Sequence, residues 1–274
     1  TFYRIYAGGG LLGVYYLLRE TPAGIDPLGP DNLLIFANSV VAGHPGAGLV
    51  RYIVSAKSPL TGGVGETRSE GRWAVSLKKS GFDALIITGA AAKSTGLLID
   101  DGQISFFDAA DIRGATVGEA TDRLEDRFGS DVDVATIGPA GEHLVRFANI
   151  VSNRTHQAQR MGMGAVMGSK HLKAIVLRGG TLPSIADNVR YERVNATFRK
   201  DIKTNILSQW QKNQPGFAVW VHDHGIDAAL DVENFRAASF DQVDAYAKEN
   251  WLPYYTGVSE CPGCPNDCLK MFHN

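Results

Sequence analysis

The chain has only three cysteines, Cys261, Cys264 and Cys268, and they fall within eight positions in the order Cys-Pro-Gly-Cys-Pro-Asn-Asp-Cys. One tight cluster of odd number is unlike the paired, scattered cysteines of a secreted disulfide scaffold. It suits a reducing compartment and a metal, so a cytoplasmic setting is expected and the rest of the fold must rest on an apolar core. The 274 residues and 44% hydrophobic content allow a large one. A C-x2-C-x3-C spacing can wrap one iron–sulfur cube or one zinc, and both normally want four ligands. Zinc sites usually add a second Cys or His pair well downstream, whereas a third sulfur after three residues suits a cube with adjacent corners. The reverse order, C-x3-C-x2-C, would be that of radical S-adenosylmethionine enzymes. His273 is a local candidate for the fourth ligand. The other is a cysteine beyond this stretch, because the chain opens on Thr1 and stops six residues after Cys268, as expected of a piece of a longer polypeptide.

Charge excludes some functions. A formal net charge of -2 with no Lys/Arg block gives no electrostatic reason to bind nucleic acid or an anionic membrane. No apolar run reaches the roughly 18 residues of a membrane helix.

Periodicity predicts an α+β fold, with hairpins and helices interspersed rather than a regular βαβ repeat. Residues 8–20 read as an internal helix with apolar groups on most faces, and Pro22, Pro27 and Pro30 enforce a loop after it. Strands are expected at 33–37, 51–56, 84–88, 134–137, 144–150 and 174–177. Asp101-Gly102 predicts a hairpin between 97–100 and 103–107. Helices are expected at 69–80, starting at a cap on Ser69, at 116–128 and at 164–172. Composition shifts near Pro183–Asp187. Beyond it strands are expected to disappear, leaving helical patterns at 191–209, 216–230 and 241–249. The expected organisation is a β-rich, two-layer domain over 1–187 and the start of an all-α domain over 188–274 that carries the cysteines.

A second constellation is Arg160-Met-Gly162-Met-Gly164-Ala-Val-Met-Gly168-Ser-Lys170. Glycines let backbone N–H groups approach an anion at a helix start, or let a helix pack tightly. The run lacks the preceding strand and the acidic residue about 20 positions on that mark a dinucleotide fingerprint, and it is too short between glycines for a P-loop. Met161, Met163 and Met167 read as packing residues. Lys170 and Lys173 either offset phosphate charge or are solvated. His222 and His224, at i and i+2 on an expected helix, point to different faces, and Glu142 with His143 reads as structural hydrogen bonding.

Four segments carry a resemblance. Arg51-Tyr-Ile-Val-Ser-Ala-Lys-Ser-Pro-Leu-Thr-Gly62, Gly138-Pro-Ala-Gly-Glu-His-Leu-Val-Arg-Phe-Ala148, Arg160–Ile175 and the Cys-Pro-x-Cys-Pro-x-x-Cys run together resemble the aldehyde ferredoxin oxidoreductase family of tungsten or molybdenum pterin enzymes. The resemblance covers the N-terminal domain and the start of the middle domain of a full-length member. It implies a metal held between the dithiolenes of two pterins on a β-rich platform, a four-iron cluster relaying electrons to ferredoxin, and an aldehyde as substrate. It implies cofactor contacts from Arg51 and from Arg160, Met161, Gly162 and Met163. It also implies cluster ligation by Cys261, Cys264 and Cys268, with the fourth ligand and the proton-transfer groups elsewhere in the full-length protein. No catalytic acid or base is therefore assigned here, and a homo-oligomer is compatible with the resemblance. One departure stands out. Where typical members have Asn-Ser-Gly-Gly, this chain has Arg68-Ser69-Glu70-Gly71, so Ser69 and Gly71 keep the pattern while Arg68 and Glu70 change the contacts. That leaves room for a subgroup reducing aromatic acyl-thioesters, or for an electron-transfer or assembly subunit without the pterin.

Overall fold

The computed structural model describes residues 5–213, 215–259 and 261–273. They form two compact units. The first runs through His44 and resumes over Gly48–Ser184; the second joins Pro45–Ala47 to the chain from Ile185 onward.

The first unit is two sheets face to face. One is antiparallel, with β1 (Leu34–Asn38), β2 (Arg51–Lys57), β3 (Val64–Glu70) and β4 (Ala84–Ile87) in the order β3-β2-β1-β4. The other contains β5 (Thr95–Asp100), β6 (Gln103–Asp108), β7 (Asp133–Thr136), β8 (Ile150–Ser152), β9 (His156–Ala158) and β10 (Leu172–Arg178), ordered β6-β5-β10-β7-β8-β9. Only the β5–β10 pair is parallel among these neighbours. Every residue of β1 is buried because both faces of the strand are covered. Leu34 and Phe36 join the central core with Tyr52, Trp73 and Ile175, while Ile35 and Ala37 meet Leu17 of α1 (Gly9–Glu20) on the outer face. Beyond the six-stranded sheet, α3 (Val117–Phe128) packs Ala120 and Leu124 on Val134 and Val176. Between the sheets lie α2 (Arg72–Lys79) and α5 (Met163–Ser169), and α4 (Pro139–Glu142) is a single turn.

Local chemistry explains several elements. At the β5–β6 turn, Asp101 and Gly102 have φ of 46° and 78°, the positive pair that matches the twist of a two-residue hairpin. Helix α3 starts on a reciprocal capping box between Thr116 and Glu119. In α5, Met163 to Gly168 are all buried. It fits there because Gly164 and Gly168, one turn apart, face backbone: a Cβ on Gly164 would overlap the Asn149 carbonyl, and one on Gly168 the Gly141 carbonyl. The burial of Lys170 and Lys173 corrects the reading of them as solvated side chains. Lys170 Nζ donates to the carbonyls of Pro30 (3.2 Å) and Gly89 (3.1 Å), and burial pulls its pKa down to about 8. Lys173 Nζ donates to Ala115 O (3.0 Å) and Ile137 O (2.7 Å) and lies 2.8 Å from Glu142 Oε1.

Four sequence expectations are corrected. Helix α1 is not buried all round, for Leu11 and Leu18 are 58% and 70% exposed. The stretch expected as one helix from Ser69 is strand through Glu70 and helix only from Arg72, with Ser69 inside β3. Residues 144–148 are not a strand: Leu144 has φ 57°, and Leu144 and Val145 donate their N–H groups back to Gly141 and Ala140. Finally, strands do not end near residue 187.

The second unit is mostly helical. It comprises α6 (Asn188–Ile202), capped by Asp187, α7 (Ile206–Lys212), capped by Asn205, α8 (Trp220–Ile226) and α9 (Lys248–Trp251), with short 3-10 turns between. The Pro45 carbonyl accepts from the Tyr191 hydroxyl (2.7 Å) and from Asn195 Nδ2. A two-stranded antiparallel sheet of β11 (Tyr255–Ser259) and β12 (Leu269–Phe272) completes it. Among the described residues no helix is long and apolar enough to cross a membrane.

The packing of α5 makes a testable demand. Gly168→Ala should lower unfolding stability by about 2 kcal/mol, the usual scale of an overpacked core position, as read from the midpoint of chemical denaturation. An unchanged midpoint would show that the Gly141–Gly168 approach is not a tight one.

Candidate cofactor border and cysteine loop

The first candidate site is built on the β2–β3 hairpin, whose register sets Arg51 opposite Glu70, Tyr52 opposite Ser69 and Ile53 opposite Arg68. Strand alternation turns Arg68 and Glu70 outward and Ser69 inward. Arg51 Nε lies 3.1 Å from Glu70 Oε1, with side chains 49% and 37% exposed. An ion pair this wet contributes little and leaves the guanidinium able to exchange partners. Ser69 is wholly buried on the other face beside Tyr52, whose hydroxyl donates to Ser152 Oγ at 3.2 Å and whose pKa burial pushes up.

The second segment runs alongside. Strand β9 packs beside β3, and two hydroxyls fasten the loop that follows it. Thr67 Oγ1 donates to Gln159 O and Ser58 Oγ to Met161 O, each at 2.8 Å. Arg160 sits between these two anchored carbonyls, exposed and with φ 82°. A non-glycine residue in that region is strained and persists only where its surroundings dictate it.

The fold thus brings segments around Arg51, Arg68–Gly71 and Arg160 to one stretch of hairpin, with Arg51, Arg68, Glu70 and Arg160 reaching solvent. It does not leave the remaining members open. Gly71 is covered by the His156 ring, which a Cβ there would approach to 2.9 Å, and Gly162 lies against the Arg146 carbonyl. Met163 is fully buried against Gly65, and Met161 is partly buried beside the core. The bare sides of these glycines serve protein packing, and Ser69 and Met163 could reach a ligand only through main chain. Sequence reasoning missed Ser58, Thr67 and His156. The alternation in Val64-Gly-Glu-Thr-Arg-Ser-Glu70 was the available signal, a strand pattern written in small and polar residues rather than apolar ones.

The cysteines lie in a hairpin loop of the second unit. The pairs Ser259–Leu269 and Val258–Lys270 close its neck, so Cys261, two residues past β11, and Cys268, just before β12, are drawn toward each other. Cys264 N–H donates to Cys261 O at 3.0 Å across Pro262-Gly263, where Gly263 has φ 71°, the requirement of a type II turn. Asn266 Nδ2 donates to Gln211 Oε1 (2.6 Å) and Lys270 Nζ to Lys212 O (2.8 Å), tying the loop to α7. None of the three cysteines is in a disulfide. Among the described residues no three Cys, His, Asp or Glu side chains already form a metal-sized group. His273 is engaged elsewhere, its Nε2 lying 3.2 Å from Pro253 O. His224 stacks on Trp220 at 3.6 Å, and His222 lies between Asp223 and Asp244 at 3.5 and 3.7 Å, so these two histidines have separate surroundings.

Electrostatics next to the border can be read directly. Burial lowers the His156 pKa, while the Glu70 carboxylate pulls it up. The unfolded chain takes up this proton first as pH falls below about 6.5, so burying neutral His156 costs stability on the acid side and none above it. Glu70→Gln should move the His156 midpoint further down in a ring-proton NMR titration. A midpoint that stays or rises would remove Glu70 from its surroundings.

The model of the aldehyde ferredoxin oxidoreductase N-terminal domain matches residues 1–179. The chain is 35% identical over 275 aligned residues to a tungsten-containing aldehyde ferredoxin oxidoreductase of Pyrococcus abyssi, covering 98% of this chain and 45% of that protein. It is 28% identical to the WOR-like subunit of an aliphatic sulfonate oxidoreductase of Pyrococcus furiosus, again over 98% of this chain and 45% of the relative. Among solved structures, the active-site complex BamBC of benzoyl coenzyme A reductase, bound to 1,5-dienoyl-CoA, matches with a TM-score of 0.84 at 28% identity, covering 99% of this chain and 44% of that one. The chain therefore spans less than half the length of these relatives, and it belongs to the aldehyde ferredoxin oxidoreductase family.

Proposed function

We propose that this chain is the cofactor platform and cluster loop of a cytoplasmic oxidoreductase that converts an aldehyde and water to a carboxylate, releasing two electrons and three protons. The electrons leave through a [4Fe-4S] cluster to ferredoxin. The platform extends to about residue 187 and the start of a helical domain follows. The observation that carries the reading is that exposed Arg51 and Arg68 lie on one hairpin and that buried hydroxyls of the same hairpin hold the loop of exposed Arg160 to it. Forked, permanently charged donors suit the phosphates of a bis-pterin cofactor.

The donor sets fit the groups assigned to them. Arg51, Arg68 and Arg160 would hold pterin phosphates, with main chain at Ser69–Gly71 and Met161–Met163 beside them, and Cys261, Cys264 and Cys268 would supply three thiolates to the cluster. When bound, the tungsten or molybdenum pterin group supplies the two-electron exchange. The chain's own residues bind and orient it. Glu70 pairs only Arg51 Nε, at 3.1 Å and partly in solvent, so the remaining N–H groups of that guanidinium stay available to a phosphate.

A second reading has specific support. The benzoyl coenzyme A reductase match at TM-score 0.84 favours a subunit running the reverse kind of chemistry, reduction of an aromatic acyl-thioester with the same cofactors. A subunit that has lost the pterin is disfavoured, because it would have little physical reason to keep three exposed arginines on one border.

Two measurements on the full-length protein test the assignments. Arg160→Ala should lower tungsten and pterin content, since each charged hydrogen bond to phosphate is worth roughly tenfold in affinity, while iron and sulfide stay near the parent's. Equal tungsten in mutant and parent would take Arg160 out of the site. Cys264→Ser should bleach the broad visible absorption of the cluster; a parental spectrum would defeat the ligand assignment.

A further inference from the structure

Helix α5 has the Arg160 loop at its start and a separate cleft at its end. The cleft has a volume of about 750 Å3, and Gly168 forms part of its wall. Its polar lining comes from Lys93, Arg113, Glu142, His143, His171 and Lys173. None of these belongs to the cofactor border. The floor is a fixed charge pair: Lys173 Nζ, with a side chain only 1% exposed, lies 2.8 Å from Glu142 Oε1. Glu142 Oε2 also accepts the Gly114 N–H at 2.8 Å. The two charges cancel and hold the cleft's shape.

Around the rim the balance is positive. Lys93 pairs with Asp108, but Arg113 has no carboxylate partner among the described residues, which leaves one uncompensated guanidinium. His171 Nδ1 lies 2.6 Å from the Ala91 carbonyl. Only a protonated Nδ1 can bond a carbonyl, so Nε2 faces a ligand as an acceptor in the neutral ring and as a donor to an anion only in the imidazolium. Ala92, Ala110, Ile137 and Leu172 supply the apolar remainder. A pocket with an apolar wall and a few convergent polar groups is the usual form of a small-molecule site.

We infer that this cleft binds a small organic anion, a carboxylate or phosphate monoester on a compact apolar body, with its head group on Arg113. The inference is independent of the cofactor assignment. It is tested by calorimetric titration of the full-length protein with benzoate and with phenyl phosphate at fixed ionic strength. At least one probe should bind saturably, and the tighter of the two assigns the head group. Arg113→Ala should weaken binding roughly tenfold or more, the scale of one charged hydrogen-bonded contact. Ala92→Trp, at an exposed position, should block the cleft, whereas Arg160→Ala should leave the isotherm unchanged. The site is overturned if neither probe saturates, if Arg113→Ala or Ala92→Trp binds like the parent, or if Arg160→Ala abolishes the binding.

Discussion

Two hydroxyl groups decide where the candidate cofactor border lies. Ser58 and Thr67 each donate, at 2.8 Å, to a carbonyl flanking Arg160, and so fix a strained, positively charged residue to the edge of a hairpin that already carries Arg51 and Arg68. Each bond contributes only about 1 kcal/mol net, yet a buried carbonyl left without its donor would cost more than that. The left-handed backbone at Arg160 costs of order 1–3 kcal/mol, which the two anchors and the buried α5 offset together. Position here follows from paired polar groups inside a packed interior rather than from the arginines themselves.

Those hydroxyls work only because the two sheets close over α5. Its glycines admit the Asn149 and Gly141 backbones at its surface, and the helix in turn sets Met163 beneath Gly65 of β3. One short buried helix therefore organises both ends of the unit: the Arg160 loop before it and the charged cleft after it. Seven residues at the helical rise separate these by about 10 Å, far enough for independent ligands and near enough for a shared scaffold.

Much of this was legible in the residues. Apolar runs gave β1, β2 and β4, and the Asp101-Gly102 turn signal gave the β5–β6 hairpin. What stayed hidden shares a physical cause. Strand β3 is built from Gly, Thr and Ser on its inner face, so its burial leaves no hydrophobic mark, and Ser69 passed for a helix cap. The β11–β12 hairpin, with its aromatic ends and a loop full of cysteines and prolines, lacks a two-residue turn signal; its register alone shows that Cys261 and Cys268 flank one neck. The glycines of residues 162–168 fit either an opening for a ligand or tight helix packing. Their neighbours are carbonyls of the same chain, and the sequence cannot tell those two kinds of close approach apart.

The central claim is that Arg51, Arg68 and Arg160 bound the metal–pterin group while the cysteine loop holds iron. Anomalous diffraction from crystals of the full-length protein, recorded at the tungsten and iron edges, locates both metals without reference to activity. The account predicts a tungsten peak beside the β2–β3 hairpin, within reach of these arginines, and iron density enclosed by Cys261, Cys264 and Cys268. A tungsten peak remote from all three guanidiniums would contradict it.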